Sequence, residues 1–264
     1  MRIHEDFVDL ETPTGVMRTH RFQPTAGGPY PGVVLFSEIY QVTAPIARTA
    51  RRLASQGYVV AAPEVYHEFE PAGLALAYDA EGTDKGNRYK TAKALSAYDD
   101  DARAVVAHLK TLATCSGRLG TMGMCLGGHL AFRCAMNPEI AAAACLYPTD
   151  IHKRGLGLGM NDDSLDRFAA LTGEMLMVWG RQDPHIPQDG RDRIYRGLVE
   201  AGTAFSWHEF NASHAFIRDE GPRFDAALAD IVYALVNELF HRRLHAGNTQ
   251  LPAAPAPTAP LKLG

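Results

Sequence analysis

Short apolar runs alternate along this chain with stretches whose apolar positions recur every three or four residues. The runs at 32–36, 58–62, 120–124, 141–147 and 175–179 are nearly continuous, as strands covered on both faces require, and a further run follows at 205–210. Between them, 45–56, 91–112, 126–136, 190–201 and 224–241 carry helical spacing. In the second of these, Leu95, Tyr98, Ala102, Val105, Leu109 and Leu112 share one face. Ahead of the alternation, 7–11 and 16–22 flank Thr12-Pro13-Thr14-Gly15, which predicts an antiparallel hairpin at the sheet edge. The fold class expected is α/β, a mostly parallel central sheet with helices on both faces and an N-terminal antiparallel hairpin.

Two segments interrupt this order, 64–86 and 147–173. Both follow strands and should stand at the end of the sheet where ligands bind. The connection 149–173 holds Gly155-Leu156-Gly157-Leu158-Gly159, which lacks the strand-turn-helix context of a phosphate cradle and is expected to be a lid or inserted loop. Asp99, Asp100 and Asp101 are expected on a solvated first-turn face. One domain over 1–245 accommodates the pattern, and the Pro- and Ala-rich tail 246–264 is expected to be disordered.

Composition narrows the function classes. A net charge of −4 gives no general attraction to nucleic acid or anionic lipid. No secretory h-region opens the chain and no apolar run approaches the roughly 20 residues that cross a bilayer, so a cytoplasmic protein without membrane partners is expected. The four cysteines show no Cys-x-x-Cys spacing and are expected to be reduced. The histidines show no His-Glu-x-x-His spacing, so neither metal nor cofactor is expected.

The chemistry concentrates in Gly123-Met124-Cys125-Leu126-Gly127-Gly128, which ends an apolar run and opens a helical one. A reactive side chain on so sharp a turn demands small residues two before and two after it, and Gly123 and Gly127 meet that demand around Cys125. An acid and a histidine follow in the order this kind of site uses. Asp183 comes just after the run 175–179, and His214 just after the run 205–210. A thiol nucleophile, its base and an orienting acid, each on a loop after a different strand, predict nucleophilic catalysis at a carbonyl.

These motifs, with Ser37-Glu38-Ile39-Tyr40 after the first central strand and His214-Ala215-Phe216-Ile217-Arg218, resemble the dienelactone hydrolases (carboxymethylenebutenolidase-like) of the α/β-hydrolase superfamily, from about Val33 to His241. The resemblance implies hydrolysis of an ester or lactone through a thioester at Cys125, with His214 as base, Asp183 as its acid and Glu38 as a second carboxylate near the thiol. It implies an oxyanion hole from the backbone N–H groups of Leu126 and Ile39, and arginines for a substrate carboxylate, Arg218 and Arg88. A small-molecule ester or lactone is the expected partner, and the oligomeric state is left open. Two other readings stay open: a broad-specificity carboxylesterase or thioesterase, and a non-catalytic member that binds a lactone or acid.

Overall fold

A computed structural model describes residues 1–245; the proline-rich tail expected to be disordered lies outside the described residues. Strands β1 (Ile3–Thr12), β2 (Gly15–Pro24), β3 (Tyr30–Phe36), β4 (Val59–Pro63), β5 (Cys115–Met124), β6 (Ile140–Leu146), β7 (Glu174–Gly180) and β8 (Phe205–Phe210) form one 8-stranded sheet in the order β1-β2-β4-β3-β5-β6-β7-β8. The hairpin β1-β2 lies at one edge, β2 pairs antiparallel with β4, and every pairing from β4 to β8 is parallel.

Helices α1 (Ala44–Ser55), α2 (Ala80–Ala92), α3 (Leu95–Thr111), α4 (Leu126–Cys134), α5 (Gln188–Glu200) and α6 (Ala226–Leu244) complete the α/β layers. The central strands are apolar because helices cover both of their faces: Val33, Val34 and Leu35 of β3, Val59 and Val60 of β4, and Met175, Met177 and Val178 of β7 are fully buried. Burying each such side chain contributes about 1.5–3 kcal/mol. Edge strand β8 is only half-buried along its length, which matches its weaker apolar run. None of the described helices is long and apolar enough to cross a membrane.

Two expectations change here. The single helix expected over 91–112 is two helices, broken at Lys93 and Ala94, and α2 occupies much of the interruption assigned to 64–86. The cause is a buried ion cluster. Lys93, fully buried, takes an extended backbone (φ −72°, ψ 137°) and pairs with Asp101 at 3.0 Å and with Glu68, while His67 meets Asp101 at 3.1 Å. A buried ammonium without its carboxylates would cost several kcal/mol, so the helical register yields to the pairing.

The second change follows from the first. Asp101 is wholly buried rather than solvated, and Asp99 accepts two hydrogen bonds from Arg133, at 2.9 and 2.7 Å. Only Asp100, paired with the exposed Arg103 one turn on, behaves as a surface acid.

Candidate active site

The turn after β5 places Cys125 at φ 58° and ψ −121°, a conformation that strains a residue bearing a Cβ. Close backbone contact enforces it. A Cβ on Gly123 would lie 1.9 Å from the carbonyl oxygen of Gly127, and one on Gly127 would lie 2.3 Å from that of Phe36. The Cys125 N–H donates to the Leu146 carbonyl at 3.0 Å, and the Thr149 N–H donates to the Cys125 carbonyl at 3.2 Å. Helix α4 starts at Leu126, so its N-terminal dipole lies directly beside the sulfur.

His214 and Asp183 arrive on the loops after β8 and β7, both buried. The Asp183 Oδ2 lies 2.6 Å from His214 Nδ1, and its Oδ1 accepts the His185 N–H at 2.8 Å. The carboxylate accepts, so Nδ1 carries the hydrogen and Nε2 is free to face the sulfur. The rings of Tyr147 and His185 flank the imidazole with centroids at 5.1 and 4.7 Å. Burial works against the imidazolium, but the charge of the Cys125 sulfur and the hydrogen bond to Asp183 outweigh it and push His214 up to about 10. Burial and the neighbouring His214 push His185 down, which keeps it uncharged beside its partner.

Glu38, 3% exposed, stands between two other groups: it accepts from the Tyr78 hydroxyl at 3.2 Å and meets an Arg218 nitrogen at 3.6 Å. Burial pushes its carboxyl up, against the pull of Arg218 and His214. The Arg218 guanidinium lies over the Tyr78 ring at 4.3 Å and its Nε donates to the Glu220 carbonyl at 2.9 Å. Arg218 thus reaches the site already engaged.

These groups meet in a cavity of about 500 Å³ lined by Glu38, Ile39, Cys125, His185, His214 and Arg218, with Tyr40, Thr83, Asn87, Lys90, Thr149, Asp150, Lys153 and Arg223 around them. Ile39 lines the cavity from the loop after β3, while Leu126 at the start of α4 is fully buried and outside the lining. Ile39 is held there by α2, where a Cβ on Gly86 would lie 2.4 Å from the Ile39 carbonyl oxygen. Arg88 is exposed and outside the lining. Thr83, Asn87 and Lys90 line the cavity instead, at helical spacings of four and three residues on the face α2 turns inward, a pattern that announces itself only once α2 is known to be a helix.

The 149–173 connection is fastened rather than free-standing. Arg154 grips Asp166 through two hydrogen bonds, Arg133 on α4 donates to Asp163 at 2.7 Å, and Ile151 and Leu156 are fully buried. Its glycine run crosses the α2-α3 break, where Leu158 N–H donates to the Lys93 carbonyl at 2.8 Å. Only its start, Thr149 to Lys153, reaches the cavity. Among the described residues, no three His, Cys, Asp or Glu side chains are grouped so as to hold a metal ion.

A parallel sheet with an elbow after β5, an acid after β7 and a histidine after β8 is the α/β-hydrolase arrangement. The chain matches the dienelactone hydrolase family over residues 17–244, and it belongs to that family of hydrolases. It is 44% identical over 256 residues to a Saccharomyces cerevisiae protein named "Putative carboxymethylenebutenolidase", covering 92% of this chain and 93% of that one. It is 29% identical over 219 residues to a Pseudomonas putida protein named "Carboxymethylenebutenolidase", covering 81% and 84%. Among solved structures, a Klebsiella pneumoniae protein described as "Putative Dienelactone Hydrolase" shares the fold with a TM-score of 0.72 at 23% identity, over 92% of this chain and 100% of that one.

Proposed function

We propose that this protein is a cysteine-dependent hydrolase of an ester or lactone, with Cys125 as nucleophile, His214 as general base and acid, and Asp183 as the group that holds the imidazole in its working tautomer. The observation that carries this reading is the convergence of the strained Cys125 elbow with the Asp183-His214 pair on one cavity. The names of the relatives point to the same reaction class.

The chemistry follows from the placement. A thiolate opposite a protonated His214 attacks the carbonyl carbon, and the carbonyl π electrons move to oxygen. The oxyanion is stabilised by the N–H groups of Leu126 and Ile39; Leu126, as the first residue of α4, has no carbonyl four residues back within its helix to bond. Collapse expels the alkoxide or ring oxygen, which takes the Nε2 proton, and leaves a thioester. Water then gives a proton to Nε2 and its oxygen attacks the thioester, releasing the acid and restoring the sulfur.

Glu38 enters as a buried carboxyl with a raised affinity for a proton, beside Arg218. Arg218 opposes that affinity, so a substrate that disturbs the Arg218 contact would leave Glu38 the stronger proton acceptor, able to take the proton of the Cys125 thiol. The test is hydrolysis of a dienelactone and a panel of p-nitrophenyl esters by the wild type and Cys125→Ala. Turnover by the wild type that disappears in the variant supports the reading, and a preference for the lactone over the esters narrows it. Turnover retained by Cys125→Ala, or a wild type that binds these compounds and converts none, contradicts it.

A further inference from the structure

We propose that a second cavity, behind the pair formed by Glu38 and Arg218, is a water-filled proton route through which Glu38 exchanges its proton with bulk solvent while substrate occupies the reaction cavity; this deepens the hydrolase reading and rests on it. The second cavity, of about 250 Å³, lies between α1, α6 and the segment 217–224. It shares two lining residues with the cavity that holds Cys125, and they are Glu38 and Arg218. The pair is therefore the partition between the two spaces. Met124, the residue before Cys125, lines the second cavity as well.

This space joins a buried carboxyl to the surface. Glu38 and Met124 are buried, whereas Arg48, Arg52 and Asp230, which also line it, are exposed. Between them it offers water the partners it needs, since the hydroxyls of Thr49 and Tyr233, 2.7 Å apart, belong to the lining. Its volume holds several waters at about 30 Å³ each. Both Glu38 contacts, with Tyr78 and with Arg218, fall on Oε2, and among the described residues Oε1 meets no protein partner. That oxygen is left for water to bond. The charges at the mouth favour a departing proton. Arg48 pairs with Asp219 and Glu220, and Arg52 with Asp230 at 3.2 Å, so two guanidiniums face three carboxylates. The surplus negative charge attracts hydronium.

The reaction supplies the need. Hydrolysis of an ester near neutral pH yields a carboxylate, an alcohol and one proton, so each turnover must discharge one. A substrate that fills the front cavity excludes water from that side of Glu38. The step is a single proton transfer: the carboxyl O–H bond breaks, its electron pair stays on Glu38, and the proton moves to a water of the second cavity and on to bulk. The reverse transfer recharges the group. Burial strengthens the hold of this carboxyl on its proton, which brings it closer to the working pH at which a relay is effective.

The test closes the second cavity from its far wall. Ala229, buried on α6, and Ala226, exposed in the first turn of the same helix, both line it. Ala229→Leu fills the interior, and Ala226→Phe covers the mouth from a position where a larger side chain spares the core. The controls are Ala229→Ser, which leaves the space open, and Ile231→Ala, on the exposed face of α6 outside the lining. The readouts are kcat and KM for p-nitrophenyl acetate in light and heavy water. Each closed variant should lower kcat about tenfold, as expected when a proton transfer is slowed, raise the ratio of kcat in light to heavy water, and leave KM near the wild-type value. Both controls should keep all three. Wild-type kcat and isotope ratio in both closed variants, a fall in kcat without a rise in the ratio, or a fall matched by the controls overturns the proton route, while turnover leaves the hydrolase reading standing. A wild type inert to this ester and to the dienelactone overturns the hydrolase reading and the route with it.

Discussion

Two histidine clusters adjoin helix α4, one at its N-cap Cys125 and one around its own His129, and they use nearly the same residue types. One is Cys125-His214-Asp183; the other is Ser164-His129-Asp162, all three fully buried. In the first, the acid takes Nδ1 and leaves Nε2 for the sulfur, at a cavity. In the second, Nε2 faces both the Ser164 hydroxyl, at 2.9 Å, and Asp162, at 3.3 Å, while Nδ1 is buried without a partner. Ser164 Oγ also accepts from Arg133 at 3.0 Å. A histidine whose one nitrogen is shared by acid and hydroxyl cannot relay a proton between them, so this cluster fastens the 149–173 connection to α4. Composition makes the two alike; which nitrogen meets which partner, and whether a cavity adjoins, sets them apart.

The comparison breaks most sharply at the Cys125 thiol and the Ser164 hydroxyl. Cys125→Ala should lower kcat/KM by about four orders of magnitude or more, in line with nucleophile removal elsewhere, whereas Ser164→Ala should leave steady-state turnover near the wild-type value. The acids sharpen it next. Asp183→Asn should cost about a hundredfold to ten-thousandfold in kcat by spoiling the tautomer of His214, while Asp162→Asn should instead destabilise the fold by about 1–3 kcal/mol in urea unfolding. Gly127→Ala, which sets a Cβ 2.3 Å from the Phe36 carbonyl oxygen, should destabilise by about 1–3 kcal/mol and lower activity with it.

The smallest effects are in pH dependence, and the two clusters contribute with opposite sign. His214 has a raised value in the fold, so its contribution to stability is fully present below its ordinary 6.5 and is lost as pH rises through about 10. Burial opposes the Asp162 charge, and His129 outweighs it, so its carboxyl falls to about 2; that contribution is present above 3.8 and is lost as pH falls through about 2. Urea unfolding across pH should show His214→Gln flattening the alkaline limb and Asp162→Asn the acid limb. Exchange of these two outcomes would mean the charge states are assigned to the wrong clusters.

Much of this architecture is legible in the sequence because its signals are local. The five central runs are apolar enough to name parallel strands, and the glycines around Cys125 name the elbow. Asp183 and His214 are legible from where they follow strands. Helix α2 is not, because its buried face is made of Gly82 and Gly86 rather than large apolar residues, so no hydrophobic period reveals it. With α2 hidden, the inward set Thr83, Asn87 and Lys90 is hidden too, and the neighbouring Arg88 attracts the attention instead. Asp99 and Asp101 mislead for a related reason: a run of like charges looks solvated until its partners Arg133 and Lys93 arrive from elsewhere in the chain. The Glu38 contact with Tyr78 spans 40 positions and leaves no local trace.

The most direct test of the central claim is intact-mass and peptide-mass analysis of the protein quenched within its first turnovers of a p-nitrophenyl ester. An acyl adduct on the peptide that carries Cys125, absent in Cys125→Ala and longer-lived in His214→Gln, is the result this account predicts. An adduct on Ser164 or another side chain, or full turnover by Cys125→Ala, would contradict it.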